Sequence, residues 1–370
     1  MIANHSSFQL IASINFNKCK GMKKIIVGID VSKEKIDASA ILVTVNQLGM
    51  QKLDYQTFEN RPMGFRRMVV WARHLVKGIT LDEVMFCCET TGAYDHKLCD
   101  YLFARGLDIW RESALQIKKS SGLRKGKDDK TDSLAIAEYA MRHADKAVYY
   151  VSPSQDIREL KELLLYRHKL EQEKASTTVR VAGLKATAGK SPSRNFILRD
   201  AQKRIKQLEK SIKECEKQIL DIYERNEEMK KSYTHITSIK GVSIVNATAM
   251  IAYSNNFKNI TSSRKIASYY GVAPFREKSG TSVDKKAKVN CYSNSMLRSY
   301  LTMAARHTIK ANGIYFDYYN RMIAAGKCYG VAINNVKNKL LNLSISLVKN
   351  DMDYEACHEY KRLQGKAELA

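Results

Sequence analysis

The stretch from Lys23 to Lys33, KKIIVGIDVSK, sets the tightest limit on what this chain can fold into. Ile25, Ile26 and Val27 form a β-branched apolar run, followed by Gly28, Ile29 and Asp30 and then by polar Ser32 and Lys33. The run suits a buried strand that delivers one carboxylate to the end of a sheet. Taken alone it fits equally well an ordinary strand whose Asp30 opens a turn. Three further carboxylates at element ends decide between these readings.

Two more strands, Ala38 to Val45 and Tyr55 to Phe58, extend the first into a meander. Pro62 opens a helix through about Val76, with Phe65, Met68, Val69 and Ala72 on one face. Val84 to Cys88 reads as a buried strand that delivers Glu89. A helix from about Ala93 to Ala104 and a strand from Leu107 to Trp110 follow, giving an α/β layer sandwich with a mixed sheet. The segment 118–140 begins as a basic loop with Lys118, Lys119, Arg124, Lys125 and Lys127, then enters a helix carrying Lys130. Asp129 and Asp132 lie on one face at that helix start. Asp129 alone would serve as a cap, but a cap asks for neither the second Asp nor the basic loop.

From about Pro153 to Lys231 the pattern is long-helical and rich in Glu, Lys, Arg and Leu, broken at Gly189-Lys190-Ser191-Pro192. Ile205, Leu208, Ile212, Cys215, Ile219 and Ile222 form a heptad seam, which predicts an antiparallel hairpin that packs on itself or dimerises. Beyond Ile236, apolar segments flank Gly241. They fit a helix-hairpin-helix whose glycine turn admits a phosphate, or a plain helix-turn-helix. GVAPFREKSG, residues 271–280, reads as a basic loop in which Ser279 is a phosphate contact, a nucleophile or a solvated turn residue. Lys240, Arg276, Lys278, Lys285, Lys286, Lys288 and Arg298 are the nucleic-acid-contact candidates of this half. Met296 to Lys310 and Val331 to Val348 read as closing helices.

The net charge is +24 over 370 residues, from 62 Lys+Arg against 38 Asp+Glu spread along the chain. That excess predicts an extensive surface for a polyanion, most simply nucleic acid. No two of the cysteines have CxxC spacing and no histidine pair completes a zinc pattern, so the sequence indicates neither a structural zinc nor a disulfide framework. Reduced thiols point to the cytoplasm. No run approaches the ~20 apolar residues of a membrane span. Residues 1–21 lack periodicity and a signal-peptide pattern, and are expected to be an extension outside the fold.

Asp30, Glu89, Asp129 and Asp132 would repel one another strongly without a neutralising cation. Mg²⁺ fits such a set, with Mn²⁺ as a substitute, because it takes oxygen ligands and keeps waters for phosphate chemistry. A pair of metals about 4 Å apart would support in-line displacement at a phosphodiester of DNA or RNA.

These motifs resemble the DEDD insertion-sequence transposases of the IS-one-ten type, the bridge-RNA-guided recombinases. GIDVSK is similar to the family's first-Asp motif, CCETTGAY to its Glu motif, KDDKTDSLAIA to its paired-Asp motif and GVAPFREKSG to its serine signature. They are thereby matched to Asp30, Glu89, Asp129 with Asp132, and Ser279. Asp128 and Ser133 stand where the family usually has Thr and Ala, and residues 289–294 depart from its basic run. The resemblance implies a RuvC-like ribonuclease-H fold domain over 22–150, a coiled-coil hairpin over 151–232 and a mostly helical transposase domain over 233–350. A polar tail follows over 351–370. It implies Mg²⁺-dependent strand exchange in which Ser279 joins covalently to DNA. The partners it implies are double-stranded DNA, a non-coding guide RNA, and further copies of the chain in a dimer or tetramer. Two alternatives stay open: a junction nuclease that uses water as nucleophile, and a non-catalytic nucleic-acid-binding protein.

Overall fold

The computed structural model describes residues 24–43, 50–90, 92–120, 128–187, 189, 191–258, 263–279, 283–289, 293–310 and 313–355. Contacts divide the chain into two compact units, which meet in sequence at Ser152 and Pro153.

The first unit is built on a five-stranded sheet of β1 (Ile25–Val31), β2 (Lys35–Val43), β3 (Met50–Glu59), β4 (Val84–Glu89) and β5 (Asp108–Glu112), in spatial order β3-β2-β1-β4-β5. β1 pairs antiparallel with β2 and parallel with β4, so the sheet is mixed. β1 is central and covered on both faces, which is why IIVGIDV reads as a nearly continuous apolar run. β3 is an edge strand, and its polar, mostly exposed sequence suits an edge that must not recruit another strand.

Helices cover both faces. α1 (Pro62–His74), which opens on the proline, and α2 (His96–Phe103) pack one side, where Phe65, Met68, Leu98 and Leu102 meet Ile25, Val27, Ile29 and Phe86. α3 (Ala114–Ser120) and α4 (Asp129–Arg142) belong to the other, where Ile117, Ile136, Ala137 and Ala140 meet Ile26, Ile41, Met85 and Trp110. Each of the Ile, Leu, Val, Phe and Met side chains taken wholly out of water contributes roughly 1.5–3 kcal/mol.

The second unit begins with α5 (Gln155–Ala186) and α6 (Pro192–Arg225), which pair antiparallel. Arg167 bonds Glu216 across them, and Arg225 bonds Asp156 nearer the root. Ile212, Cys215, Ile219 and Ile222 of the heptad seam are buried. α7 (Glu227–Thr237), α8 (Ile244–Ser254), α9 (Ser263–Tyr269), α10 (Ser295–Thr308), α11 (Phe316–Ala324) and α12 (Tyr329–Lys349) follow. The hairpin root and these helices share one core, in which Leu160, Ile219, Ile236, Ile251, Leu301 and Leu340 are fully buried. Gly241 turns between α7 and α8 with φ +99°, and a Cβ there would lie 3.2 Å from His307 and Thr308 carbons.

The structure differs from the sequence expectation at residues 271–280. Pro274–Ser279 of that stretch form a strand, β6, which pairs antiparallel with β7 (Val283–Val289). The alternation of short and long side chains is too brief there to mark a strand. The helix Phe316–Ala324 also went unread: none of its residues is fully buried, and only Tyr318, Tyr319 and Met322 of one face pack against the buried Ala305, Ile333 and Val336. The proposed extension at 1–21 and most of the polar tail lie outside the described residues.

Candidate active site

Backbone register aligns carboxylates before any side chain is considered. Asp30 pairs with Asp37 across β1 and β2. Ile29 pairs with Cys88, so Asp30 and Glu89 are the next residues on adjacent parallel strands. Glu89 pairs in turn with Glu112 of β5. Side chains alternate along a strand, so all four belong to the face that packs α4. Asp30, Glu89 and Glu112 stand at or beside the C-terminal ends of their parallel strands.

Gly28 brings α4 down onto that row. A Cβ at Gly28 would lie 2.2 Å from the Ala137 nitrogen and 2.3 Å from the Ser133 oxygen, distances no side chain tolerates. Ser39 pairs with Gly28 across the sheet, and its hydroxyl lies 2.7 Å from that of Ser133 in a buried hydrogen bond. Ser133 is the residue standing where the resemblance would have Ala, and the contact with Ser39 accounts for it. Anchored there, α4 starts with Asp129 and Asp132 in its first turn, where its dipole favours negative charge. Asp129 is the first helical residue and Asp128 the cap position.

Burial, and then the charges of Asp132, Asp129 and Asp37, hold the Asp30 carboxyl above its ordinary range. Lys35 is the local counter-charge: its Nζ lies 2.6 Å from Asp129 Oδ2 and 3.1 Å from Asp37 Oδ2. Asp37 is 2% exposed and accepts hydrogen bonds of 2.7 Å from both the Tyr55 and Thr57 hydroxyls. Burial opposes its charge, but these donors and Lys35 outweigh burial and keep its carboxyl below the ordinary range. Glu112 accepts a 3.0 Å bond from Tyr139 of α4. Burial and that carboxylate push the phenol up to about 12, so Tyr139 remains a donor.

The structure thus brings Asp30, Asp129 and Asp132 within electrostatic reach of one another, and register sets Glu89 beside Asp30. The set suits a hard divalent ion: all donors are oxygens, burial and then the neighbouring carboxylates raise Asp30, and the Lys35 ammonium already bridges Asp37 and Asp129. Asp37, Glu112 and Lys35 were missed from sequence. Asp37 carries no signal in the sequence, because β2 also holds Lys35 and Ser39 and only register sets Asp37 opposite Asp30.

Residues 27–184 match a family described as a transposase of the DEDD IS110 type. Residues 233–320 match a second description, transposase IS116/IS110/IS902 family. The chain belongs to the IS110/IS116/IS902 transposase family. Its similarity to the pilin gene-inverting proteins of Moraxella lacunata and Moraxella bovis is 24% identity over 341 residues, covering 90% of this chain and 98% of each relative. A Thermus thermophilus RuvC bound to a Holliday junction covers 34% of this chain at 14% identity with TM-score 0.26, and a second RuvC structure scores 0.27. Scores that low carry no argument.

The remaining candidates of this family member are dispersed. Lys118 and Lys119 are exposed in the last turn of α3, and Lys130 is exposed on α4 with its ammonium 5.4 Å from the Tyr55 ring centre. Arg124, Lys125 and Lys127 lie outside the described residues. Lys240 is exposed beside the Gly241 turn, Arg276 and Lys288 are exposed on the β6–β7 hairpin, and Arg298 is half-buried in α10. Ser279 is the last residue of β6, with Lys278, Lys285 and Lys286 on the same hairpin. The side chains of residues 277–287 lie outside the described residues. No helix among the described residues is long and apolar enough to cross a membrane.

Proposed function

We propose that this transposase-family chain cuts and rejoins DNA as the recombinase of a mobile element. In this reading Asp30, Glu89, Asp129 and Asp132 hold Mg²⁺, or Mn²⁺ in its place, and Ser279 is the nucleophile that becomes joined to a DNA phosphate. The observation that carries it is the crowding of Asp30 by Asp129 and Asp132 where α4 settles on Gly28. The mixed sheet, with carboxylates at its parallel strand ends, supports a RuvC-like ribonuclease-H fold. The relatives' printed activity, inversion of a pilin gene, supports cutting and rejoining.

Bound metal would lower the charge on the phosphate and stabilise the leaving oxygen. The chain's own residues set the stage. Lys35 and Asp37 hold Asp129 in place, and Ser39 with Ser133 fixes the height of α4 above β1. Exposed Lys118, Lys119, Lys240, Arg276 and Lys288 supply sequence-independent phosphate contacts. Double-stranded DNA, a non-coding guide RNA and further copies of this chain, as a dimer or tetramer, are the partners in this reading. The RNA is tested by sequencing what co-purifies: one discrete species supports guidance, and bulk cellular RNA overturns it.

The serine step is tested by incubating protein, Mg²⁺ and junction DNA and looking for a covalent protein–DNA adduct. The adduct is expected with the wild-type chain and not with Ser279→Ala. Undiminished cleavage by Ser279→Ala without any adduct would instead assign the reaction to water.

A further inference from the structure

The opposite face of the sheet carries a second cluster of donors, built on sulfur. Cys88 on β4, Asp95 just before α2 and Cys99 on α2 are each 0% exposed. One ligand atom from each lies within 4.8 Å of the others, and the two sulfurs are 3.6 Å apart. Asp95 occupies the cap position of α2 yet makes no side-chain cap bond, the usual role of Asp there. It is turned inward instead. Its Oδ2 accepts a hydrogen bond from Arg111 Nε, while its Oδ1 is buried with no hydrogen-bond partner. A buried carboxylate oxygen without a hydrogen-bond partner is a costly feature.

We propose that Cys88, Asp95 and Cys99 form a binding site for a thiophilic divalent ion of the zinc class. A tetrahedral ion with Zn–S bonds of about 2.3 Å separates two thiolates by about 3.8 Å, so the observed sulfurs need almost no movement. The third donor is the carboxylate whose second oxygen has no other partner. Arg111 holds the other carboxylate oxygen and so fixes the ligand's orientation. Ions that prefer oxygen are served by the Asp30 cluster on the other face, and two sulfurs select against them here. Loading releases one proton from each thiol to solvent, so affinity rises with pH. Cys88 immediately precedes Glu89, so the ion anchors the strand end from which Glu89 projects. The site does not depend on the recombinase reading.

The test uses the full-length chain produced in zinc-depleted, cobalt-supplemented medium under reducing conditions. Thiolate-to-cobalt charge-transfer absorption reports sulfur ligation, which the oxygen donors around Asp30 cannot give. The expected result is such absorption at about one cobalt per chain, displaced by an equivalent of Zn²⁺. It is retained in Asp30→Asn and in Cys87→Ala, whose thiol belongs to the other face, and lost in Cys99→Ala. Asp95→Asn is expected to weaken binding at least tenfold. Absence of the absorption from the wild-type chain overturns the proposal, as does its persistence in Cys99→Ala or its loss in Cys87→Ala. The wild-type spectrum decides by itself, whether or not the cysteine variants fold.

Discussion

Cys88 and Glu89 are neighbours on β4, yet they serve opposite faces of one sheet with opposite chemistry. On the Glu89 side, oxygen donors gather where solvent reaches them. Asp30 is half-buried, the Asp129 side chain is 50% exposed, and Lys35 bridges from the surface. On the Cys88 side, two sulfurs and a carboxylate are sealed from water. Strand alternation sends the Glu89 carboxylate to one face and the Cys88 thiol to the other. Solvent access then separates an oxygen cluster open to exchange from a sulfur cluster closed to it.

The largest expected effect comes from the contact that builds the oxygen side. Gly28→Val drives side-chain atoms into the α4 backbone at Ser133 and Ala137, and should cost about 3 kcal/mol in denaturant unfolding. A stable Gly28→Val chain that still binds Mn²⁺ would break the claim that close helix approach creates the site. Asp37→Ala removes the acceptor for Tyr55, Thr57 and Lys35, and should cost about 2 kcal/mol. It should also weaken Mn²⁺ binding roughly tenfold, by freeing Lys35 and Asp129 to move. Unchanged Mn²⁺ affinity would confine Asp37 to folding alone.

Ser39→Ala should cost less, about 1 kcal/mol, because Ser133 keeps its bond to the Lys130 carbonyl at 3.0 Å. Asp30→Asn should act in the other direction. Asp30 binds its proton more tightly folded than unfolded, so the metal-free chain loses stability as pH rises from the ordinary 3.8 through the raised folded value. The variant should therefore melt about 2–4 °C higher than wild type at neutral pH without metal, and no higher below that window. Saturating Mg²⁺ should reverse the order, since only the wild-type site gains from the ion. A lower Tm for the metal-free variant at neutral pH would show that Asp30 is not under repulsion.

Much of the oxygen side was legible in the chain. Asp30 and Glu89 each end a β-branched or apolar run, and Asp129 with Asp132 shares one turn of an apolar helix. Local period is enough to place such residues at element ends. Asp37 was not legible, because nothing inside KIDASAILV marks one polar position as pairing across the sheet with Asp30; only register reveals it. Gly28 gave no sign of its contact with α4, which depends on a residue more than a hundred positions away. The sulfur side was invisible for a related reason. Asp95 and Cys99 are one helical turn apart, but Cys88 joins them from a strand, so no zinc-like spacing appears in sequence. The strand ending at Ser279 was read as a loop because both it and its pairing partner, β7, are short and rich in charged residues.

On the proposed reading, the carboxylates around Asp30 carry out metal-dependent chemistry on DNA. The most direct measurement is Mg²⁺-dependent cleavage of junction DNA by the wild-type chain and by Asp30→Ala, with folding of both checked by circular dichroism. Cleavage by wild type is expected to fall by about a thousandfold in Asp30→Ala, the effect of losing several kcal/mol of charge stabilisation. Cleavage by Asp30→Ala at the wild-type rate would contradict that reading.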